Sequence, residues 1–274
     1  MQGFADTFAG AYTVWYRDVI SLVRDKSRLF GSLVMTGVML VGIGFGLGGL
    51  IGKVGGGGFG GAASIPGVPF VQFIFPAMLA MTVLGTALQS TMSMVYDREF
   101  GFMKKILVAP VSRTSVALGK IAGGLTVALI QAALILLMAP FLGIHLTIGT
   151  ALFVLLVLAM LGAAITSLGV LVASRQKSQQ GFQLISLLVM MPLMLLTMGA
   201  FLPSFGNGAL ATAFKTASLF NPVSYGIDAL RQVMLGSAMP TSLVLHPMAF
   251  DLAILVALFV VFLVPGVLLF SKQD

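Results

Sequence analysis

Six stretches of this sequence are long and apolar enough to fill a bilayer core, which leaves the backbone almost no choice of structure. They run over about 29–51, 70–96, 121–143, 149–173, 182–202 and 250–270. A helical span needs roughly 20 residues. Lipid offers nothing to an unpaired peptide group, so only helices or closed barrels cross it. These runs are far too long for barrel strands. The expected fold is all-α: one polytopic membrane domain over residues 1–274 with six transmembrane helices. Charged residues make up 8% of the chain, against about 25% in a soluble domain.

The distribution of basic residues sets the expected orientation. Arg17, Arg24, Lys26, Arg28, Arg98, Lys104, Lys105, Arg113, Lys120, Arg175, Lys177 and Lys272 fall on one side; only Lys53, Lys215 and Arg231 fall on the other. The positive-inside bias puts the first group, and both termini, in the cytoplasm of a multi-pass protein of the cell inner or plasma membrane. A net charge of +7 reflects that asymmetry, and no nucleic acid partner is expected. No cleavable signal peptide is read, because the first long apolar run follows a charged stretch.

Three segments between or before the spans carry patterns of their own. Residues 1–28 place Phe4, Phe8, Tyr12, Trp15, Val19, Leu22 and Val23 at helical steps with Asp6, Arg17, Asp18, Arg24 and Asp25 opposite. This predicts an amphipathic helix in the cytoplasmic interface, and membrane lipid as its partner. Residues 52–69 form a glycine-rich external loop. In 203–249, an apolar stripe around Phe214–Phe220 and Tyr225–Met234 is broken at Asn221-Pro222. Two short helices dipping into the outer leaflet are expected there, because proline removes a donor and disfavours helix in the residue before it.

Chemistry of the catalytic kind finds no residues to work with. The span centres contain no Asp, Glu, Lys, Arg or His, and Asp251 sits at the edge of the last run. No nucleophile elbow, zinc-protease motif or phosphate-binding loop occurs. Gly44-Phe45-Gly46-Leu47-Gly48-Gly49 matches a dinucleotide fingerprint formally, but it lies inside an apolar span without a preceding strand. His145 and His246 are too few and too far apart to suggest a metal centre, and no cysteine is present. No catalytic residue, metal or cofactor of this chain's own is expected. Gln89, Ser93, Met190, Met194 and Thr197 are candidate path-lining residues, although interhelical hydrogen bonding and plain packing account for such residues equally well.

The densest charge lies in 97–120, where Asp97, Arg98, Glu99, Lys104, Lys105, Arg113 and Lys120 interrupt the apolar pattern. Phe100, Met103, Ile106 and Leu107 share one helical face, and Lys104 and Lys105 take another. Gly101 leaves room for a close neighbour, Pro110 stops the helix, and Ser112 is placed to cap the next one. A charged amphipathic helix between two spans reads as a docking element; the plainer alternative is a loop pinned to anionic lipid.

These residues resemble a family. Arg98-Glu99-x-Gly101, Ile106-Leu107-Val108-Ala109-Pro110-Val111-Ser112-Arg113 and Leu118-Gly119-Lys120 look like the first cytoplasmic loop of type-2 ABC exporter permeases. That group includes drug-resistance, nodulation-factor and polysaccharide exporters. Trp15-Tyr16-Arg17-Asp18 with Arg24-Asp25, and Asn221-Pro222-Val223-Ser224-Tyr225-Gly226-Ile227-Asp228-Ala229-Leu230-Arg231, agree in the same order. Phe102 and Met103 depart from the small polar residue and leucine common in the family. The resemblance implies a second permease copy or sister permease, and a cytoplasmic ABC ATPase that uses ATP and Mg. It implies a coupling helix with Arg98, Glu99, Phe100, Gly101, Met103, Lys104, Lys105, Ile106, Leu107 and Pro110. It also implies a connecting helix at 1–28 and an outer re-entrant pair carrying Asn221, Pro222, Tyr225, Asp228 and Arg231, with the second and fifth spans facing the path.

The expected function is thus the membrane subunit of an ATP-driven exporter for a hydrophobic small molecule or lipid-like compound, as in multidrug efflux. A lipid-linked polysaccharide is the alternative cargo, and an ATP-independent channel or carrier the alternative class. Because the chain lacks cysteine, topology is directly testable. Single cysteines at Gly57 and Ser237 should label from outside, and those at Lys105 and Lys272 should not. External labelling at Lys105 would reverse the orientation.

Overall fold

The computed structural model describes residues 2–39, 42, 69–100, 112–201, 209–236, 239 and 244–271. It is all-α, with no strand among the described residues. In chain order the helices are α1 (Gln2–Arg24), α2 (Lys26–Met39), α3 (Phe70–Ser90), α4 (Met92–Glu99), α5 (Arg113–Leu136), α6 (Ile148–Arg175), α7 (Gln179–Phe201), α8 (Ala209–Ser218), α9 (Pro222–Leu235) and α10 (Met248–Ser271). Among the described residues, five runs are long and apolar enough to cross a membrane: Val71–Glu99, Arg113–Leu136, Ile148–Arg175, Gln179–Thr197 and Met248–Ser271. Of the expected first span, α2 covers the start; 40–51 apart from Gly42, and the 52–69 loop apart from Pro69, lie outside the described residues.

Two boundaries differ from the sequence expectation, each for a local reason. The expected 70–96 span is interrupted at Thr91, where the Ser90 and Thr91 hydroxyls donate back to the carbonyls of Ala87 and Leu88 at 2.7 and 2.6 Å. Such back-bonding competes with the helical ladder and bends it. The span expected over 121–143 ends early, at Leu136, and is followed by a short 3-10 turn at Ala139–Leu142, while its helix begins at Arg113, after the Ser112 cap expected from the sequence. Its start is fixed by Ser112, whose Oγ accepts from Ser115 N at 3.1 Å. Its first turns therefore contain Lys120, which is buried rather than exposed at a loop end.

The main core is built around α3. Phe75, Leu79, Val83, Leu84 and Ala87 are fully buried among residues of α5, α6 and α9. α10 lies along α6. A smaller cluster of Val14, Met94, Val95, Val116, Ile121, Phe182 and Phe270 closes the other end. Outward faces remain apolar: Leu184, Leu187, Leu188 and Met191 on α7, and Val256, Val260, Val261 and Val264 on α10, are exposed. Patches of that kind would drive aggregation in water; against hydrocarbon they are an ordinary exterior.

α1 packs along α5, and its buried side takes only part of the apolar stripe, Leu22 and the Trp15 indole N–H. Val14 and Leu22 are buried while Tyr12, Tyr16 and Val23 are exposed; the periodicity located the helix, but the Asp18 side faces the bundle. Contact is close because α5 offers glycine. A Cβ on Gly119 would stand 2.6 Å from the Ala11 carbonyl oxygen and 2.8 Å from the Val14 Cβ. Trp15 Nε1 donates to Thr126 Oγ1 at 2.9 Å. Gly119→Leu should therefore lever α1 off α5 at a cost of at least about 1–3 kcal/mol, the usual range for overpacking. Thermal unfolding of the detergent-purified chain checks this. Gly31→Ala, where a Cβ meets nothing within 4 Å, should leave the melting temperature near wild type.

Candidate functional site

The charged residues at the end of α4 do not point uniformly into solvent. Arg17 Nη2 lies 2.6 Å from Asp97 Oδ2, and Lys120 Nζ lies 3.1 Å from Asp18 Oδ1 and 3.5 Å from Asp97 Oδ2. Lys120 Nζ also donates to Ser93 Oγ at 2.8 Å. Two cations and two carboxylates thus join α1, α4 and α5 in one network. The Lys120 side chain is 2% exposed and the Arg17 side chain 47%, so the network runs from the bundle interior to its rim. The rim contact contributes little, as exposed ion pairs do; the buried ammonium is the structural centre.

The next two residues tie down the turn between α6 and α7. Arg98 Nη1 donates to the carbonyls of Ser174 and Gln176 at 3.1 and 2.9 Å, a cation at the carbonyl end of α6. Glu99 Oε2 accepts from Gln179 N at 2.9 Å, an anion at the amide end of α7. Both placements suit the helix dipoles. Phe100 is exposed and packs tilted against Tyr96, their ring centroids 4.5 Å apart. Gly101, Met103, Lys104, Lys105, Ile106, Leu107 and Pro110 lie outside the described residues.

The candidate path residues are dispersed. Gln89 and Met194 are exposed, and Met190 packs against the main core. Ser93 is engaged by Lys120, donating its own hydrogen to Ser90 O at 2.9 Å. Thr197 is fully buried; it donates to Leu193 O and accepts from Asn221 Nδ2 at 2.9 Å. Ser93 and Thr197 hold helices together here.

At the other end of α3, α8 and α9 meet at a break over Leu219–Asn221. Asn221 caps α9, its Oδ1 accepting from Val223 N at 3.0 Å, while its Nδ2 donates to Leu193 O and Thr197 Oγ1. Pro222 occupies the first turn, where a missing N–H costs nothing. Tyr225 Oη donates to Leu219 O at 2.6 Å. The buried Arg231 guanidinium lies 3.9 Å over the Phe73 ring. Asp228 Oδ2 accepts from the backbone amides of Leu245 and His246, each at 3.0 Å.

Asp18, Asp97 and Lys120 at one end, and Gln232, His246 and Asp251 at the other, were not singled out as site residues from sequence. Lys120 had one available signal, a charge on a helix that runs into an apolar span; Asp18, read on the polar side of its helix, had none. Nothing in the sequence joins His246 to Asp228.

The family described as ABC-2 type transporter matches residues 10–235, a stretch containing the ionic network, the interruption after Glu99 and the Asn221-Pro222 break. The ycf38 protein of Cyanophora paradoxa, described as a transport permease, is 29% identical over 72% of this chain and 69% of its own length. Nodulation protein J of Rhizobium leguminosarum bv. trifolii is 29% identical over 81% of this chain and 80% of its own. The chain belongs to the ABC-2 type transporter family, as a multi-pass membrane permease subunit.

Proposed function

We propose that this permease is the membrane half of an ATP-driven exporter, powered through residues 97–120 by a separate cytoplasmic ATPase. The observation that carries this reading is where the flanks of that segment are anchored. On its entry side Asp97 contacts α1 and α5, and Arg98 and Glu99 hold the α6–α7 turn. On its exit side Ser112 starts α5 directly. A displacement imposed between them is passed to α1, α3–α4, α5, α6 and α7 together. The Phe100, Met103, Ile106 and Leu107 face would seat in the ATPase, with Lys104 and Lys105 at the rim. A second permease copy or sister chain would complete the path.

The cargo favoured is a hydrophobic small molecule or lipid-like compound. A polysaccharide conduit would call for aromatic stacking surfaces, yet Trp15, Tyr12 and Tyr16 lie on α1 and Tyr96 near the end of α4, away from span centres.

Rim ion pairs contribute about 1 kcal/mol or less, while a buried apolar anchor can exceed 2 kcal/mol. The Met103→Asp, Ile106→Asp double variant should therefore insert normally yet lose ATPase co-purification and export, and Lys104→Ala should do little. Export at the wild-type rate by a stably inserted double variant would remove this segment as the coupling element.

A further inference from the structure

The cluster at the α9–α10 junction has the composition and spacing of a metal site. Asp228 stands on α9, His246 in the preceding connection and Asp251 in the first turn of α10; one ligand atom from each lies within 4.8 Å of the other two. His246 Nδ1 faces Asp251 Oδ1 at 3.7 Å, and both atoms are buried without a hydrogen-bond partner. Asp251 is fully buried. A direct imidazole–carboxylate bond would close to about 2.7–2.9 Å. Nitrogen and oxygen ligands about 2.0–2.2 Å from a tetrahedral ion sit about 3.3–3.6 Å from each other. The observed gap is close to the second value.

Charge points the same way. A carboxylate oxygen of Asp228 and one of Asp251 lie within 4.8 Å of each other, and two buried carboxylates this close favour either a shared proton or a cation between them. Arg231, whose charge also acts on Asp228, lies over Phe73. The surroundings hold the three groups in place as the outer shell of a metal site does. Gln232 Nε2 donates to His246 O at 3.0 Å and to Asp251 Oδ2 at 3.3 Å. The His246 ring packs against both Tyr225 and Phe250, with centroids at 5.4 and 5.1 Å. Backbone amides hold Asp228. A cavity of about 160 Å³, lined by Ser218, Ser224, Tyr225 and His246 among others, opens beside the imidazole and provides access.

We propose that Asp228, His246 and Asp251 bind a single divalent transition-metal ion, of the zinc type, that fastens α9 to α10. One imidazole and two carboxylates suit zinc and its neighbours in the first transition row, with a water completing the coordination. Two carboxylates balance the charge of the ion.

The test is titration of the full-length, chelator-stripped protein in detergent with zinc chloride alone, reading bound metal after gel filtration and the melting temperature. One zinc per chain and a raised melting temperature are expected. His246→Ala and Asp251→Asn should each weaken binding by at least about tenfold, as loss of even an outer-shell partner does, and should abolish the thermal shift. His145→Ala, which alters the only other histidine, should bind as wild type. Asp251→Asn removes a charge while keeping shape, so its metal-free form should melt no lower than the metal-free wild type; loss of zinc binding in it is then not unfolding. Absence of saturable zinc binding, or equal binding by the His246→Ala, Asp251→Asn double variant, would leave a shared proton between the carboxylates and overturn the site.

Discussion

A buried ammonium group organises one whole end of this molecule. Lys120 lies in an otherwise apolar helix and is almost fully enclosed. Removing such a group from water costs several kcal/mol unless partners replace the hydration. Asp18 from α1, and Asp97 and Ser93 from α4, are those partners. Their positions require α1, α4 and α5 to converge. The convergence in turn needs glycine: a Cβ on Gly123 would stand 3.0 Å from Asp18, and Gly119 lets the α1 backbone approach one turn earlier. In general, removing one partner from a buried pair costs about 3–5 kcal/mol, because an uncompensated charge remains.

The two ends of α3–α4 are held by different chemistry. Phe73 is under Arg231 at one end and Asp97 meets Arg17 at the other. At 1.5 Å per helical residue they are roughly 36 Å apart along the run, about the thickness of a bilayer core and part of its interface. At the Asp97 end the contacts are ionic and partly wet. At the Phe73 end they are buried hydrogen bonds: Asn221 to α7, Asp228 to the α9–α10 connection, and Gln232 to Asp251. The proposed mechanism requires movement to pass from one end to the other, which packed helices joined at both ends would do as near-rigid rods.

Two residues assigned to docking from sequence have a task within the fold itself. Arg98 and Glu99 cap α6 and α7 within the chain, so replacing either alters the bundle as well as any partner contact. Ser93 and Thr197, read as path candidates, are bound to Lys120 and Asn221. Interhelical bonding, the plainer of the two explanations open at the sequence level, is what the geometry supports for these two.

Much of the fold was legible because lipid removes alternatives. Apolar runs of span length must be helical, so the positions of α3, α6, α7 and α10 follow from hydropathy to within a few residues. Ser112 and Asn221-Pro222 mark helix starts by local chemistry, and local chemistry is written in consecutive residues. The α1 helix was legible too, but not its inward side, because an acidic residue was assigned to solvent. Only tertiary structure decides whether a charge meets its complement: Lys120 is buried because Asp18, far away in sequence, arrives beside it. The same holds for His246. Two histidines distant in sequence gave no sign of the proposed metal centre, since the carboxylates that would complete its set come from two helices brought together by folding.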